Sequence, residues 1–355
     1  MEKVVCTKAN WLSRQEGVEV FILTAHLRGR KPFFELDPAV KLVDIGVNER
    51  SHGGKYRREL DFLLHEIHPD VSVSLCGADA FHLYRCTDGS AKVAEYHFMH
   101  DKFFRKYSCR AYAAFRTSRL HKTFFHYDSL VVLSKYDYAY FKQYFESQGG
   151  DVSTIHQIYN AVDIENSKIS DLSWKRFLAV GRLSAEKNFY DAVRIWKKVS
   201  LRHPDWHLDI YGEGGERKHL EDFISAQGMD SSVSLCGNSP KILDQFARSS
   251  GMLVTSNYEG MGLVVVEAGS CGVPTVAYRC PGGLPEVLAD GAGYLVPMGD
   301  IDSATARICD LIEDVELRKR MGGAALEFAG GFAPDLIMQH WMSLFKSMEG
   351  RVCLR

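Results

Sequence analysis

Residues 251–278 read GMLVTSNYEGMGLVVVEAGSCGVPTVAY. GMLVTS has the length and composition of a buried strand, and NYEGMG is a turn with glycine at positions 260 and 262. LVVVEAGSCG follows as a helix that Gly272 closes and Pro274 prevents from resuming. TVAY then opens another strand. Strand, glycine turn, helix and strand in this order place helix-start N–H groups, the positive end of the helix dipole, at the mouth of a parallel sheet. Ligands of such sheets bind at that edge, and an anion such as phosphate suits it.

The same alternation extends outward. Upstream run RFLAVGRL, the helical NFYDAVRIWKKVSLRH, WHLDIYG, ERKHLEDFISAQG, SVSLCG and PKILDQFARSS. This predicts an α/β fold with a doubly wound parallel sheet. The first half repeats the pattern with EVFILTA, KLVDIGV, a basic helix, DVSVSLCG, AKVAEYHF, a long helical stretch and SLVVLS. The polar stretch IYNAVDIENSKISDLSW places a hinge near residues 162–174. The expected organisation is a first Rossmann-like domain over 1–165, a second over 166–331, and a C-terminal helix, 332–355, apolar at helical spacing and returning to the first domain. MEKVVCTKANWLSRQ reads as helix before any strand, so the first domain is expected to lack the central strand and turn that open a doubly wound unit.

The 355 residues carry a formal charge of −2 and are 46% hydrophobic, which favours two buried cores and gives no global attraction to nucleic acid. Nine cysteines, with no CxxC, fit reduced thiols of a cytoplasmic protein. No apolar run approaches the ~18 residues of a membrane span.

Glu259 stands just before the glycine turn and Glu267 on the helix after it, where a carboxylate can accept from the vicinal hydroxyls of a ribose. Both also suit a plain role near a helix N-terminus. GRLSAEKN, residues 181–188, brings Arg182 and Lys187 to the carboxyl edge of the same half-sheet, where two cations can neutralise a diphosphate without a metal. Three other patterns carry less. Asp300 and Asp302 have DxD spacing but precede a helix, which predicts an N-cap. His65 and His68 lack the spacing of HExxH. YGEGGERKHL has Gly212 and Gly214 but Arg217 where GxGxxG needs a glycine. Neither metal nor nicotinamide is expected.

GRLSAEKN, the two glutamates of YEGMGLVVVEA, GVPTVAY and PEVLADGAGYLVP together resemble the retaining GT-B glycosyltransferases of the bacterial group 1 (family 4) type. The resemblance implies two Rossmann-like domains across a cleft, the second holding a nucleotide-diphospho-sugar, here UDP-linked, and the first a surface-polysaccharide or lipid-linked glycan acceptor. It implies donor contacts from Arg182, Lys187, Gly260, Met261, Gly262, Leu263 and Glu267, and catalytic roles for Glu259, Arg182, Lys187 and His97. His100 is the rival of His97. No cofactor or metal is implied.

Residues 101–127 interleave seven cations, Lys102, Arg105, Lys106, Arg110, Arg116, Arg119 and Lys122, with aromatics and a single acid, Asp101. This is either a surface for anionic lipid, giving peripheral attachment to the inner face of the membrane and access to a polyprenyl-diphosphate-linked acceptor, or a half-buried helix with a solvated basic face. Relative to the family, the expected first strand and Gly-Gly turn are missing, which implies an internal start or a truncated product. Two other functions therefore stay open: an impaired nucleotide-sugar-binding protein and a nucleotide-sugar epimerase.

Overall fold

The computed structural model describes residues 1–48, 52–164, 167–288 and 290–349. The chain forms two units, Met1–Ala161 with Pro334–Arg355, and Val162–Ala333. The sequence reading drew these limits at 165/166 and 331/332.

In the first unit the elements run α1 Glu2–Leu12, β1 Phe21–Thr24, β2 Lys41–Asp44, α2 Gly53–Ile67, β3 Val71–Ser74, β4 Ala91–Tyr96, α3 Lys102–Lys106, α4 Arg110–Phe124, β5 Ser129–Val132, α5 Lys135–Ser147 and β6 Ile155–Gln157. The second unit contains β7 Arg176–Val180, α6 Phe189–Arg202, β8 His207–Tyr211, α7 Arg217–Ala226, β9 Val233–Gly237, α8 Ile242–Phe246, β10 Gly251–Val254, α9 Leu263–Ser270, β11 Thr275–Tyr278, α10 Leu284–Val287, β12 Gly293–Val296, α11 Ile301–Glu313 and α12 Val315–Gly330. The last helix, α13 Pro334–Glu349, belongs to the first unit.

The second unit is a six-stranded parallel sheet in the order β12-β11-β10-β7-β8-β9. From β7 the chain winds outward through β8 and β9, then returns to the other side of β7 and winds the opposite way from β10. The reversal lies between β7 and β10, and in a sheet of this topology the carboxyl edge at the reversal is where a ligand crevice is expected. Helix α6 shows why the layers hold: Phe189, Ala192, Val193, Trp196 and Val199 recur every three or four residues and are all buried. They meet Phe177 and Leu208 of the sheet.

The first unit divides its strands between a two-stranded parallel pair, β1-β2, and a four-stranded parallel sheet, β3-β4-β5-β6. Every residue of β4 and β5 is buried, as expected for strands covered on both faces. Ile337, Met338, Trp341 and Leu344 of α13 pack with Leu12 of α1 and with Val93 and Val131 of these strands. Trp11 Nε1 donates to Asp335 Oδ1 at 2.5 Å. The long helical stretch expected over 101–127 is instead two helices, α3 and α4, interrupted at Tyr107–Cys109.

Candidate functional site

Two loops leave the carboxyl edge of the second unit's sheet at the reversal point, 181–188 after β7 and 255–262 after β10. Hydrogen bonds tie them together. Thr255 Oγ1 donates to the carbonyls of Lys187 and Asn188 at 3.2 and 3.0 Å. Asn257 donates its N–H to the Glu186 carbonyl at 2.8 Å and its side-chain amide to the Ala185 carbonyl at 3.0 Å. The result brings Lys187 Nζ to 2.5 Å from Glu259 Oε1, although the residues are 72 positions apart. Ser256 Oγ donates to the same carboxylate oxygen at 2.7 Å. Glu259 is only 8% exposed, so its charge depends on this ammonium and hydroxyl.

The turn after Glu259 is fixed by the backbone. Glu259 donates its N–H to the Pro281 carbonyl at 3.1 Å, and Gly283 donates to the Glu259 carbonyl at 3.1 Å. Gly262 then adopts φ +83°, and a Cβ there would sit 3.2 Å from Leu284 Cα, so the position calls for glycine twice over. Helix α9 begins at the next residue, Leu263, with no side-chain cap and no acid in its first turn. Its leading amides have no partner within the helix. Glu267 follows in the second turn and is buried, 6% exposed. Gly260, Met261, Gly262 and Leu263 thus form the backbone arc between the two glutamates.

Arg182 is placed differently from Lys187. Its guanidinium is 71% exposed and pairs with Glu186 in its own loop, so of the two expected cations only Lys187 meets Glu259. The signal that sequence reasoning set aside lies beside it. Gly212 has φ +142°, and a Cβ there would fall 1.8 Å from the Gly181 carbonyl oxygen. Leu183 donates its N–H to the Glu213 carbonyl at 3.0 Å. The glycines of YGEGG are therefore not a phosphate loop of their own; they let the loop after β8 brace the backbone that presents Arg182.

Asp300 caps α11, accepting from the Ser303 N–H at 2.9 Å, and Asp302 pairs with Lys198. His65 lies on α2 and His68 is its left-handed C-cap. Among the described residues, His203, Cys309 and Glu313 bring potential metal-binding atoms within 4.8 Å of one another. They lie at the C-terminal ends of α6 and α11, at the sheet edge opposite the crevice, and Arg202 holds Glu313 at 2.7 Å.

In the first unit, His97 follows β4 and its Nε2 lies 3.3 Å from Glu95 Oε1. Glu95 Oε2 in turn receives Lys8 Nζ at 2.5 Å, and that ammonium also lies 3.5 Å above the Trp341 ring. Burial would raise the Glu95 pKa, but Lys8 and His97 hold it at about 2. Burial lowers that of Lys8 against the pull of Glu95. His100 is locked by structure: its Nδ1 is 2.8 Å from Asp137 Oδ1 and its ring stacks on Tyr140 at 3.8 Å.

The basic stretch is not uniformly exposed. Lys102 lies 3.7 Å over the Phe98 ring, and burial lowers its pKa to about 8. Arg105 is engaged by Asp101 at 2.8 Å and half-buried Arg116 by the Tyr112 hydroxyl at 3.0 Å. Lys106, Arg110, Arg119 and Lys122 are exposed together with Phe104, Tyr112 and Phe115. Among the described residues no helix is long and apolar enough to cross a membrane.

Residues 163–328 match the family described as Glycosyl transferases group 1. The chain is 33% identical over 224 residues to the amylovoran biosynthesis glycosyltransferase AmsD of Erwinia amylovora, a match that takes in 60% of this chain and 61% of AmsD. It is 24% identical over 354 residues to an uncharacterized glycosyltransferase of Haemophilus influenzae, covering 97% of this chain and 95% of the relative. Among solved structures, Anabaena Alr3699/HepE in complex with UDP and glucose superposes with a TM-score of 0.77 at 19% identity, over 98% of this chain and 95% of that one. The last comparison establishes the α/β fold.

Proposed function

We propose that the second unit, whose residues 163–328 match the family Glycosyl transferases group 1, is a glycosyl transferase domain and that the protein is a retaining glycosyltransferase. It moves a sugar from a nucleotide-diphospho-sugar, UDP-linked, to a surface-polysaccharide or lipid-linked glycan. The observation that carries the reading is the Lys187–Glu259 pair beside the uncapped start of α9, at the crevice of the sheet. The name of AmsD and the UDP and glucose of the HepE crystal support the acceptor class and the donor.

In this reading the donor diphosphate takes the place of Glu259 as partner of Lys187, and Arg182 leaves Glu186 to join it. The amides at Gly262 and Leu263 share the load. Glu267 accepts from the ribose hydroxyls, and Glu259, freed from Lys187, accepts from hydroxyls of the transferred sugar. The anomeric C–O bond breaks with its electron pair going to the diphosphate. The acceptor oxygen bonds the anomeric carbon on the same face, and its proton passes to the departing phosphate oxygen. Charge on the leaving group grows toward the transition state, so fixed cations and amides aimed at it act where catalysis needs them. The residues that meet this charge are all side chains and amides of the protein, and the reading includes no metal.

The exposed Lys106, Arg110, Arg119 and Lys122, with Phe104, Tyr112 and Phe115 beside them, support the proposal that α3 and α4 rest on an anionic bilayer from the cytoplasmic side. Cations there are drawn to acidic headgroups and aromatic rings to the interface.

The test is incubation of the purified chain with a panel of nucleotide sugars, scored for release of UDP or another nucleoside diphosphate. Release from some of them, reduced in Lys187→Met, is expected. Absence of both release and binding across the panel would overturn the reading.

A further inference from the structure

A cavity of about 350 Å³ opens in the first unit at the carboxyl edge of β1 and β2, and its polar lining is His26, Arg28, Asn48, His52 and Lys55. Three elements supply it: the segment after β1, the segment after β2, and the start of α2. Among the described residues no carboxylate lines it. Neither Arg28 nor Lys55 is ion-paired among the described residues. Asp44, the acid at the end of β2, accepts from the backbone N–H of Leu27 at 3.0 Å and of Gly46 at 3.2 Å, which holds both segments in place. Lys55 also stands in the first turn of a 15-residue helix with no acid there and no side-chain cap. A cation at that end is disfavoured by the helix dipole unless negative charge arrives to offset it.

Arg28 and Lys55, gathered in a concavity with no ion pair among the described residues, select an anion, and the volume exceeds what a bare ion needs, lying within the roughly 300–1,000 Å³ of small-molecule sites. We infer that this cavity is a subsite for an acidic sugar of the acceptor, a pyranose bearing a phosphate or a carboxylate, with Arg28 and Lys55 on the charged group. The inference rests on the glycosyltransferase reading for the word acceptor, but the recognition itself belongs to the first unit alone. Arg28 offers a planar fork and Lys55 a point charge, a combination that takes either anion.

Binding of glucose 1-phosphate, glucuronate and glucose to the full chain, measured by calorimetry with UDP present to occupy the second unit, tests it. One or both acidic sugars should bind, with glucose at least about tenfold weaker, and the two acids distinguish a phosphate from a carboxylate site. Arg28→Gln/Lys55→Gln should weaken the acidic sugar about tenfold or more. Equal binding of glucose, no binding of either acid, or unchanged binding by the folded double variant would overturn the subsite. Both changed side chains are exposed, and circular dichroism checks the fold; the single variants serve if the double one fails to fold. UDP affinity is read separately. Its loss in the parent protein, with acidic-sugar binding intact, would count against the donor reading and leave the cavity assignment standing.

Discussion

Replacing Lys187 by methionine keeps the length of the side chain and removes its charge. Glu259 then keeps Ser256 at 2.7 Å but loses the ammonium at 2.5 Å. Removing one partner of a buried pair costs about 3–5 kcal/mol when the other is left charged and dry. Here the Lys187 side chain is 21% exposed and that of Glu259 10%, so water relieves part of the penalty. The retained hydroxyl relieves more, which lowers the expected loss to about 2–3 kcal/mol. Glu259→Gln should cost less, about 1–2 kcal/mol, because the amide still accepts from Ser256 and Lys187 reaches water. If the two groups act on each other, the double variant falls short of the sum by about 1–2 kcal/mol. Urea unfolding of the four proteins measures this through the transition of the second unit. On the functional side, Lys187→Met should depress turnover more than donor affinity, since the ammonium works on charge that develops during reaction. Additive stability losses, together with unchanged turnover, would refute the coupling and the role built on it.

Glu95 gives a pH prediction. Its folded pKa of about 2 lies below the ordinary glutamate value of 4.5, so it adds stability that is fully present above pH 4.5 and is lost as pH falls toward 2. Glu95→Gln should flatten that part of the acid unfolding curve, followed by circular dichroism. Asp300→Ala should cost about 1 kcal/mol through the lost α11 cap, while a chelator leaves sugar transfer intact; transfer abolished by chelator and restored by manganese would contradict the metal-free proposal. Charge reversal at Arg110 and Arg119 should shift the protein off anionic vesicles in flotation while donor binding persists, because basic residues near such a surface contribute about 1 kcal/mol each.

The second unit was legible because its signals are local. A glycine that must take φ +83°, a helix starting directly after it, and Glu267 one turn on lie within a few residues of one another. The contacts that complete the crevice are not local. That Lys187 would settle on Glu259 depends on how loops 72 residues apart are laced by Thr255 and Asn257. Gly212 was visible, but its reason, the carbonyl of Gly181 pressed against it, appears only in three dimensions. The buried Lys8–Glu95 pair joins a helix and a strand 87 residues apart, and nothing in either segment announces the other. Lys102 shows the opposite failure: counted with its exposed neighbours by sequence, it folds inward over Phe98, which lies outside its own helix. The cavity lined by His26, Arg28, His52 and Lys55 has no signature in the sequence because these residues come from separate elements, none with a run of charge of its own.

The proposed donor site at the crevice between β7 and β10 holds a nucleotide-diphospho-sugar with Glu267 on its ribose. Calorimetric titration of the parent chain and of Glu267→Ala with the nucleotide sugar that the parent binds best tests it most directly. Loss of a charged acceptor facing two hydroxyls should weaken binding by about 1–3 kcal/mol, roughly 5- to 150-fold in Kd. A folded Glu267→Ala protein that binds the same donor with undiminished affinity would contradict the account.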